Sequence, residues 1–308
     1  MSELSPRVIT ARDGCRLRTA VFGAAPATLV RGVCVLLHGQ TEFIEKYLEV
    51  IDELRGRGFI VATFDWRSQG GSQRPLADPL KVHVDDFVEY DADLATFMEE
   101  VVHPLGQGPV VALAHSMGGH LLLRALKSNP GLARAAVLSA PMIGMQTHGY
   151  PPLVARTICR FQNGIGRRKD WVWGVDQFDP LTIGFEQQRV TRDPQRFART
   201  QALIQSAPEL RTKGPSWGWL DASFRSIAAM HDEGYGSSLS TPLLAFGAGN
   251  DRVVVTDACM ELMRRIPGAR YVNIRDAEHE ILMERDAIRA QFWAAFDAFV
   301  GPLLSAHQ

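Results

Sequence analysis

The sequence predicts an α/β fold: a mostly parallel, mixed sheet flanked by helices, with a helical insertion late in the chain. Apolar runs of strand length alternate with helix-spaced runs of ten or more residues, the signature of a parallel sheet covered on both faces. One such pair, Val110-Val-Ala-Leu-Ala-His-Ser-Met-Gly-Gly-His-Leu-Leu-Leu123, reads as strand, sharp turn and helix with Ser116 at the apex. The alternation stops between Pro141 and Ser237, where helix signals continue without a convincing strand.

Taken in order, Val8 to Thr10 and Arg16 to Phe22 flank Asp13-Gly14, a good hairpin signal, so the sheet begins antiparallel. Gly32 to Leu37 is a buried strand that runs into His38-Gly39-Gln40-Thr41-Glu42-Phe43. A helix over Glu45 to Arg55 puts Tyr47, Leu48, Ile51 and Leu54 on one face, and Gly56 and Gly58 stop it. Phe59 to Phe64 is the next strand, ending in Asp65-Trp-Arg67-Ser-Gln-Gly70-Gly-Ser72. Asp85 to Val102 reads as one helix whose apolar stripe is interrupted by Asp91. After the Val110–Leu123 pair, Ala135 to Ser139 is a strand. The pattern then resumes with Pro242 to Gly247 (strand), Val255 to Ile266 (helix), Ala269 to Ile274 (strand) and Ile288 to Val300 (helix).

Residues 1–140 and 238–308 therefore read as the core, and 141–237 as a helical cap or lid. The insertion holds Trp171, Trp173, Trp217 and Trp219, four of the six tryptophans. Its helix signals are Pro151–Arg160, Asp193-Pro194 and a start after Ser216. An insertion there lies over the carboxyl ends of the strands, where ligands bind in open α/β sheets. Its tryptophans either line that site or form the insertion's own core.

Bulk properties narrow the class. A chain of 308 residues can bury roughly 75% of its unfolded surface without disulfide or metal staples. With 33 basic and 34 acidic side chains the net charge is −1, which argues against a nucleic-acid partner. Cys15, Cys34, Cys159 and Cys259 are scattered, giving neither a disulfide framework nor a zinc site. Met1-Ser-Glu-Leu-Ser-Pro-Arg7 has no secretory pattern, and no apolar run approaches the ~20 residues of a membrane span. The expectation is a cytoplasmic protein, with peripheral contact at the inner membrane left open. Arg156, Arg160, Arg167, Arg168 and Lys169 read as a solvated face, or as a contact with anionic lipid. The oligomeric state is not set by the sequence.

The chemistry starts at Ser116. A serine in a strand–turn–helix context is either an N-cap or a nucleophile raised on a tight turn above a helix N-terminus. Gly118 supplies the small residue after it and Ala114 the small residue before it. A serine hydroxyl needs a base, and the base needs an orienting acid. The chain order expected for this elbow is Ser, acid, His. Asp251 follows a predicted strand in Gly247-Ala-Gly-Asn-Asp251, and His279 follows the last one in Asp276-Ala-Glu-His279. Asp276, Glu278 and Glu280 compete as acids but crowd the histidine. Among the other histidines, His148 and His231 fall in the insertion, His307 in the tail, and the rest precede the acid. Ser116, Asp251 and His279 are thus the expected catalytic set, with no metal and no cofactor. The oxyanion donors are expected to be the backbone N–H groups of Met117 and Gln40, the latter because Gly39 permits close approach. His38 reads as a structural hydrogen-bonder. Asp65-Trp-Arg67 has two readings, a substrate anion site or a buried Asp–Arg pair holding the loop.

These motifs resemble the α/β-hydrolase superfamily, in its lysophospholipase and monoacylglycerol-lipase branch. The matching pieces are His38-Gly39-Gln-Thr-Glu42, Asp65-Trp-Arg67-Ser-Gln-Gly70-Gly-Ser72, Ala114-His-Ser116-Met-Gly118-Gly119, Gly249-Asn-Asp251 and Glu278-His279. They span nearly the whole chain outside the insertion. The run Glu42-Phe-Ile-Glu-Lys-Tyr47 leans toward the bacterial lysophospholipase-like members. Two positions depart from the pattern: Ala114 replaces the first elbow glycine, and Ser68 stands where the family usually has glycine. The resemblance implies an α/β-hydrolase fold and a metal-free serine hydrolase acting on a small-molecule ester or lysolipid. In it Ser116 attacks, His279 shuttles the proton and Asp251 orients the imidazole. The insertion would be a lid supplying an apolar acyl pocket, with Trp219 as a candidate wall. The alternatives are a monoacylglycerol lipase, a general carboxylesterase or thioesterase, an enzyme for small amides or peptides, and an inactive hydrolase-fold binding protein.

Overall fold

The computed structural model describes residues 4–147 and 149–305; His148 and His307 lie outside them. Its main sheet comprises β1 (Arg7–Thr10), β2 (Arg16–Phe22), β3 (Gly32–Leu37), β4 (Phe59–Phe64), β6 (Val110–His115), β7 (Ala135–Ser139), β9 (Leu243–Ala248) and β10 (Arg270–Ile274). The spatial order is β1-β2-β4-β3-β6-β7-β9-β10. β2 runs antiparallel to both β1 and β4, and the remaining neighbours are parallel. The Asp13-Gly14 turn closes the edge hairpin, with Gly14 at φ 87°. β3, β7 and β9 are buried at every position, so they read as continuous apolar runs instead of alternating ones.

Five core helices cover the sheet: α1 (Leu48–Gly56), α2 (Val88–Phe97), α3 (Met117–Ser128), α8 (Thr256–Arg265) and α9 (Asp286–Ser305). The predicted Asp85–Val102 helix differs from the observed one. Glu89 in the first turn accepts from the Asp85 N–H at 2.7 Å and the Asp86 N–H at 3.2 Å, and α2 starts only at Val88. At its far end the backbone widens to a π turn over Met98–Val102 and tightens to a 3-10 turn over His103–Leu105. Pro104 lacks an N–H and crowds the carbonyl four residues back, so a regular helix cannot continue there.

The segment between β7 and β9 holds α4 (Pro152–Gly164), α5 (Pro194–Ser206), α6 (Trp217–Met230) and α7 (Glu233–Ser237). It also holds a strand that the sequence reading lacked: β8 (Gly214–Pro215) pairs in parallel with β5 (Lys81–Val82). Two residues without alternation give no sequence signal. Nor is the insertion a detached body, because Trp219, Ala222, Ile227 and Met230 of α6 belong to the main core. α4 rests on α6 through Cys159, Trp217 and Phe224.

The Asp65–Ser72 loop corrects another reading. Asp65 and Arg67 are both buried, but they do not pair with each other. Asp65 accepts from Arg18 Nε at 2.7 Å and from the backbone N–H groups of Ile44 and Gly71 at 2.9 and 2.7 Å. Arg67 forks onto Asp93 at 2.6 and 2.7 Å and also reaches Asp13 and Glu89. Ser68 takes the left-handed conformation usual for glycine, at φ 69°, and its hydroxyl donates to the His83 carbonyl at 2.8 Å. The loop is a structural clasp, which leaves no free cation for a substrate anion at Arg67.

Burial pushes Asp93 up to about 6 against the pull of Arg67. A buried carboxylate that loses its partner costs about 3–5 kcal/mol, and Arg67→Ala is expected to destabilise the fold by that amount at neutral pH. The sign of the pH dependence follows from the two folded states. Arg67 pulls the Asp93 pKa down and its removal lets burial push it higher, so the folded variant binds more protons than the folded wild type. The loss should therefore shrink as pH falls from 7 toward 5, where Asp93 takes up a proton. Urea unfolding of both chains at the two pH values checks it.

Candidate active site

The geometry is set where β6 hands over to α3. Ser116 sits between them at φ 49° and ψ −116°, a strained conformation for a residue with a side chain. Its backbone is held on both sides: the N–H donates to the Ser139 carbonyl at 3.0 Å, and its carbonyl accepts from the N–H groups of His120 and Met142 at 3.1 and 3.0 Å. Gly118 is required by packing. A Cβ there would lie 2.5 Å from the His38 carbonyl oxygen and 2.6 Å from that of Leu37, so α3 can meet the end of β3 only through glycine. Ala114 is fully buried inside β6, where its methyl is accommodated. Although Ser116 occupies the N-cap position of α3, its hydroxyl makes no capping bond.

That hydroxyl instead lies 2.9 Å from His279 Nε2. His279 Nδ1 lies 2.8 Å from Asp251 Oδ2. Asp251 follows β9, and its other oxygen accepts from the N–H groups of Val253 and Val254 at 2.8 and 2.9 Å. Burial raises the Asp251 pKa, but the His279 charge, the His279 hydrogen bond and these two N–H groups outweigh it and hold the carboxyl below its ordinary value. The three residues predicted from strand ends are thus brought together across 163 and 28 residues of sequence separation. The competing acids are placed elsewhere: Asp276 is exposed, Glu278 is 3.3 Å from Arg192, and Glu280 is 2.6 Å from Lys46.

The remaining core histidines have structural partners. His115 and His120 bond the carbonyls of Ser139 and Met142, and burial lowers them to about 4 and about 3, so both are neutral. His38 bonds the Gly39 carbonyl and lies 3.4 Å from Asp65, the structural role expected of it.

Opposite Ser116 lies the turn after β3. A Cβ on Gly39 would come within 3.1 Å of the Ser116 Cβ and 2.8 Å of Glu42 Oε2, so only glycine lets the turn approach this closely. Gln40 follows Gly39 in that turn, and Met117 opens α3. Thr41, at φ 61°, is tethered by its N–H to the Gln69 side chain.

A cavity of about 820 Å³ opens beside these residues. Thr41 and Glu280 on its wall are the sequence neighbours of Gln40 and His279, while Ser116 itself is not part of the wall. Its apolar lining includes Phe43, Phe178, Ile183, Phe197, Ile204 and Met283, interleaved with Gln, Thr and Arg side chains. Trp219 is not there, contrary to the sequence reading. It is 2% exposed, donates to the Tyr90 hydroxyl at 3.2 Å and packs on Phe87, so it joins α6 to α2. Most of the wall comes from residues 177–212, whose helix signals gave no indication of which side chains face inward. The sequence reading also passed over a buried ion network of Glu42, Lys46 and Glu280. Among the described residues, no group of three or more His, Cys, Asp or Glu side chains could hold a metal ion.

The elbow, the eight-stranded sheet and the Ser–His–Asp contact define an α/β-hydrolase. The chain belongs to the serine aminopeptidase S33 family, whose model matches residues 28–286. It is 33% identical over 270 residues to lysophospholipase L2 of Escherichia coli K12, covering 84% of this chain and 77% of that protein. The probable lysophospholipase L2 of Haemophilus influenzae is 26% identical over 275 residues, covering 89% and 85%. Among solved structures, a soluble variant of Saccharomyces cerevisiae monoglyceride lipase with a substrate analogue superposes at a TM-score of 0.77 with 17% identity, covering 98% and 96% of the two chains.

Proposed function

We propose that this hydrolase cleaves the carboxylic ester of lysophospholipids through an acyl-enzyme. The observation that carries the chemistry is the single imidazole of His279 bridging Ser116 Oγ at 2.9 Å and Asp251 at 2.8 Å. His279 Nε2 takes the Ser116 proton as Oγ attacks the ester carbonyl, and Asp251 stabilises the imidazolium through Nδ1–H. The tetrahedral oxyanion is bound by the N–H groups of Met117 and Gln40, each worth about 3 kcal/mol when aimed at it. His279 then protonates the departing glycerol oxygen, and water attacks the acyl-Ser116 ester by the same route in reverse.

The substrate class rests on the lysophospholipase relatives and on the mixed lining of the cavity, apolar enough for an acyl chain and polar enough for a head group. Residues 141–237 act as the cap over this cavity. A cytoplasmic enzyme of this kind meets its lipid at the inner membrane, and α4 offers a face for that meeting. Leu153 and Phe161 are 73% and 63% exposed there, and Arg160 is exposed beside them. Among the described residues no helix is long and apolar enough to cross a membrane.

The test is a panel of lysophosphatidyl esters, monoacylglycerols and short p-nitrophenyl esters, with and without anionic vesicles. The expected result is the highest kcat/KM on lysophosphatidyl esters of long acyl chains, raised further by vesicles. Equal or higher rates on monoacylglycerols would move the head-group assignment. A preference for short soluble esters would overturn the lipid assignment and leave the triad standing.

A further inference from the structure

The turn bearing Gly39 and Gln40 and the loop bearing His279 come from opposite ends of the chain, yet oxyanion stabilisation and proton transfer need both at fixed distances from Ser116. A continuous buried ion network joins them. Glu42 Oε2 accepts from the Gly39 N–H at 2.5 Å and from the Tyr47 hydroxyl at 2.8 Å. Its other oxygen accepts from Lys46 Nζ at 2.7 Å, and Lys46 Nζ also donates to Glu280 Oε1 at 2.6 Å. Glu280 directly follows the general base, and its backbone N–H donates to the Val190 carbonyl in the insertion at 2.7 Å.

We infer that Glu42, Lys46 and Glu280 are positioning residues: a clamp that holds the oxyanion turn and the histidine loop in register across Ser116. The network is well placed for this. Lys46 and Glu42 have only 8% and 4% of their side chains exposed, and Glu280 has 13%, so solvent screens the pairs little. Burial alone would drive the Lys46 ammonium to lose its proton, but Glu280 and Glu42 reverse that and keep it charged. Burial likewise raises the Glu42 carboxyl, and Lys46, by its charge and its hydrogen bond, leads the interactions that more than reverse it. The clamp also reaches substrate space, since Lys46 and Glu280 form part of the cavity wall beside Thr41. None of the three hydrogen-bonds to Ser116, so their effect on the reaction is through the atoms they place.

This inference rests on the triad reading, and its experiment separates the two. Glu280→Ala cuts the bridge while leaving the Glu42–Lys46 pair intact, so no buried charge is orphaned. On a soluble p-nitrophenyl ester it is expected to lower kcat by on the order of 10- to 100-fold, the cost of a misplacement of about 1 Å. KM should change by less than about 3-fold, because a short ester's ground-state contacts lie elsewhere. Affinity for a boronic acid that forms the tetrahedral adduct should fall by the same factor as kcat. Glu280→Gln keeps the hydrogen bond to Lys46 and should recover most of the rate. Glu280→Asp keeps the charge but shortens the reach, and should behave like the alanine variant.

Wild-type kcat in Glu280→Ala, a loss confined to KM, or full activity in Glu280→Asp would each overturn the clamp. Thermal unfolding of all three variants separates the outcome from misfolding, and Glu280→Gln, which keeps the hydrogen bond to Lys46, remains informative if the alanine variant unfolds. Failure of the wild type to react with a fluorophosphonate at Ser116 would instead bring down the triad reading.

Discussion

Ser116→Ala is expected to abolish ester hydrolysis, with kcat falling by on the order of 10⁵- to 10⁶-fold, while the protein stays folded. The size follows from the geometry. The hydroxyl at 2.9 Å from His279 Nε2 is the nucleophile in the contact, and what survives its loss is the proposed oxyanion pair of Met117 and Gln40 acting on bound water. Stability should hardly change, because Ser116 Oγ makes no capping bond and its backbone bonds to Ser139, His120 and Met142 remain. Ser116→Gly extends the test. At φ 49° glycine relieves strain that alanine keeps, so this inactive variant should be more stable than Ser116→Ala by about 1 kcal/mol. A fluorophosphonate should label the wild type and neither variant. Labelling that persists in a folded Ser116→Ala protein would place the nucleophile elsewhere.

That strain explains why the site was readable from the chain alone. A nucleophile elbow is a local object: a buried strand, a tight turn and a helix start must follow one another directly, and Val110–Leu123 states all three. Asp251 and His279 are legible for a related reason, since each lies just past a strand of the parallel sheet and strand ends converge on one edge. The residues that went unread have partners far away in sequence. Asp65 pairs with Arg18 and not with Arg67, two positions on, because successive loop residues point in different directions and the nearest charge in sequence is not the nearest in space. Trp219 carries no mark that separates a cavity wall from a core position, and only the fold reveals Phe87 and Tyr90 beneath it. The Glu42–Lys46 spacing is visible as an i,i+4 pair, but Glu280 joins it from 234 residues beyond Lys46. The insertion was the least legible part because its polar, irregular 165–193 stretch has no period, although it supplies much of the cavity wall.

Asp251→Asn is the sharper test of mechanism, because it changes one atom and little of the geometry. Asp251 Oδ1 accepts two backbone N–H groups, from Val253 and Val254, which an amide nitrogen cannot do. The asparagine must therefore turn its oxygen to the backbone and its NH₂ toward His279 Nδ1. A donor facing Nδ1 forces that nitrogen to accept and moves the ring proton to Nε2, where it confronts the Ser116 hydroxyl. The histidine is then held in the tautomer that cannot take the serine proton, and the fall in kcat should be about 10⁴-fold with KM nearly unchanged. Replacing one hydrogen-bonding group by another of the same shape leaves no unpaired backbone N–H, so the loss of stability should be small beside the loss of rate. Measuring kcat and urea unfolding on the same preparation decides it: a folded Asp251→Asn protein with more than about a tenth of wild-type kcat would mean that Asp251 is not what orients His279.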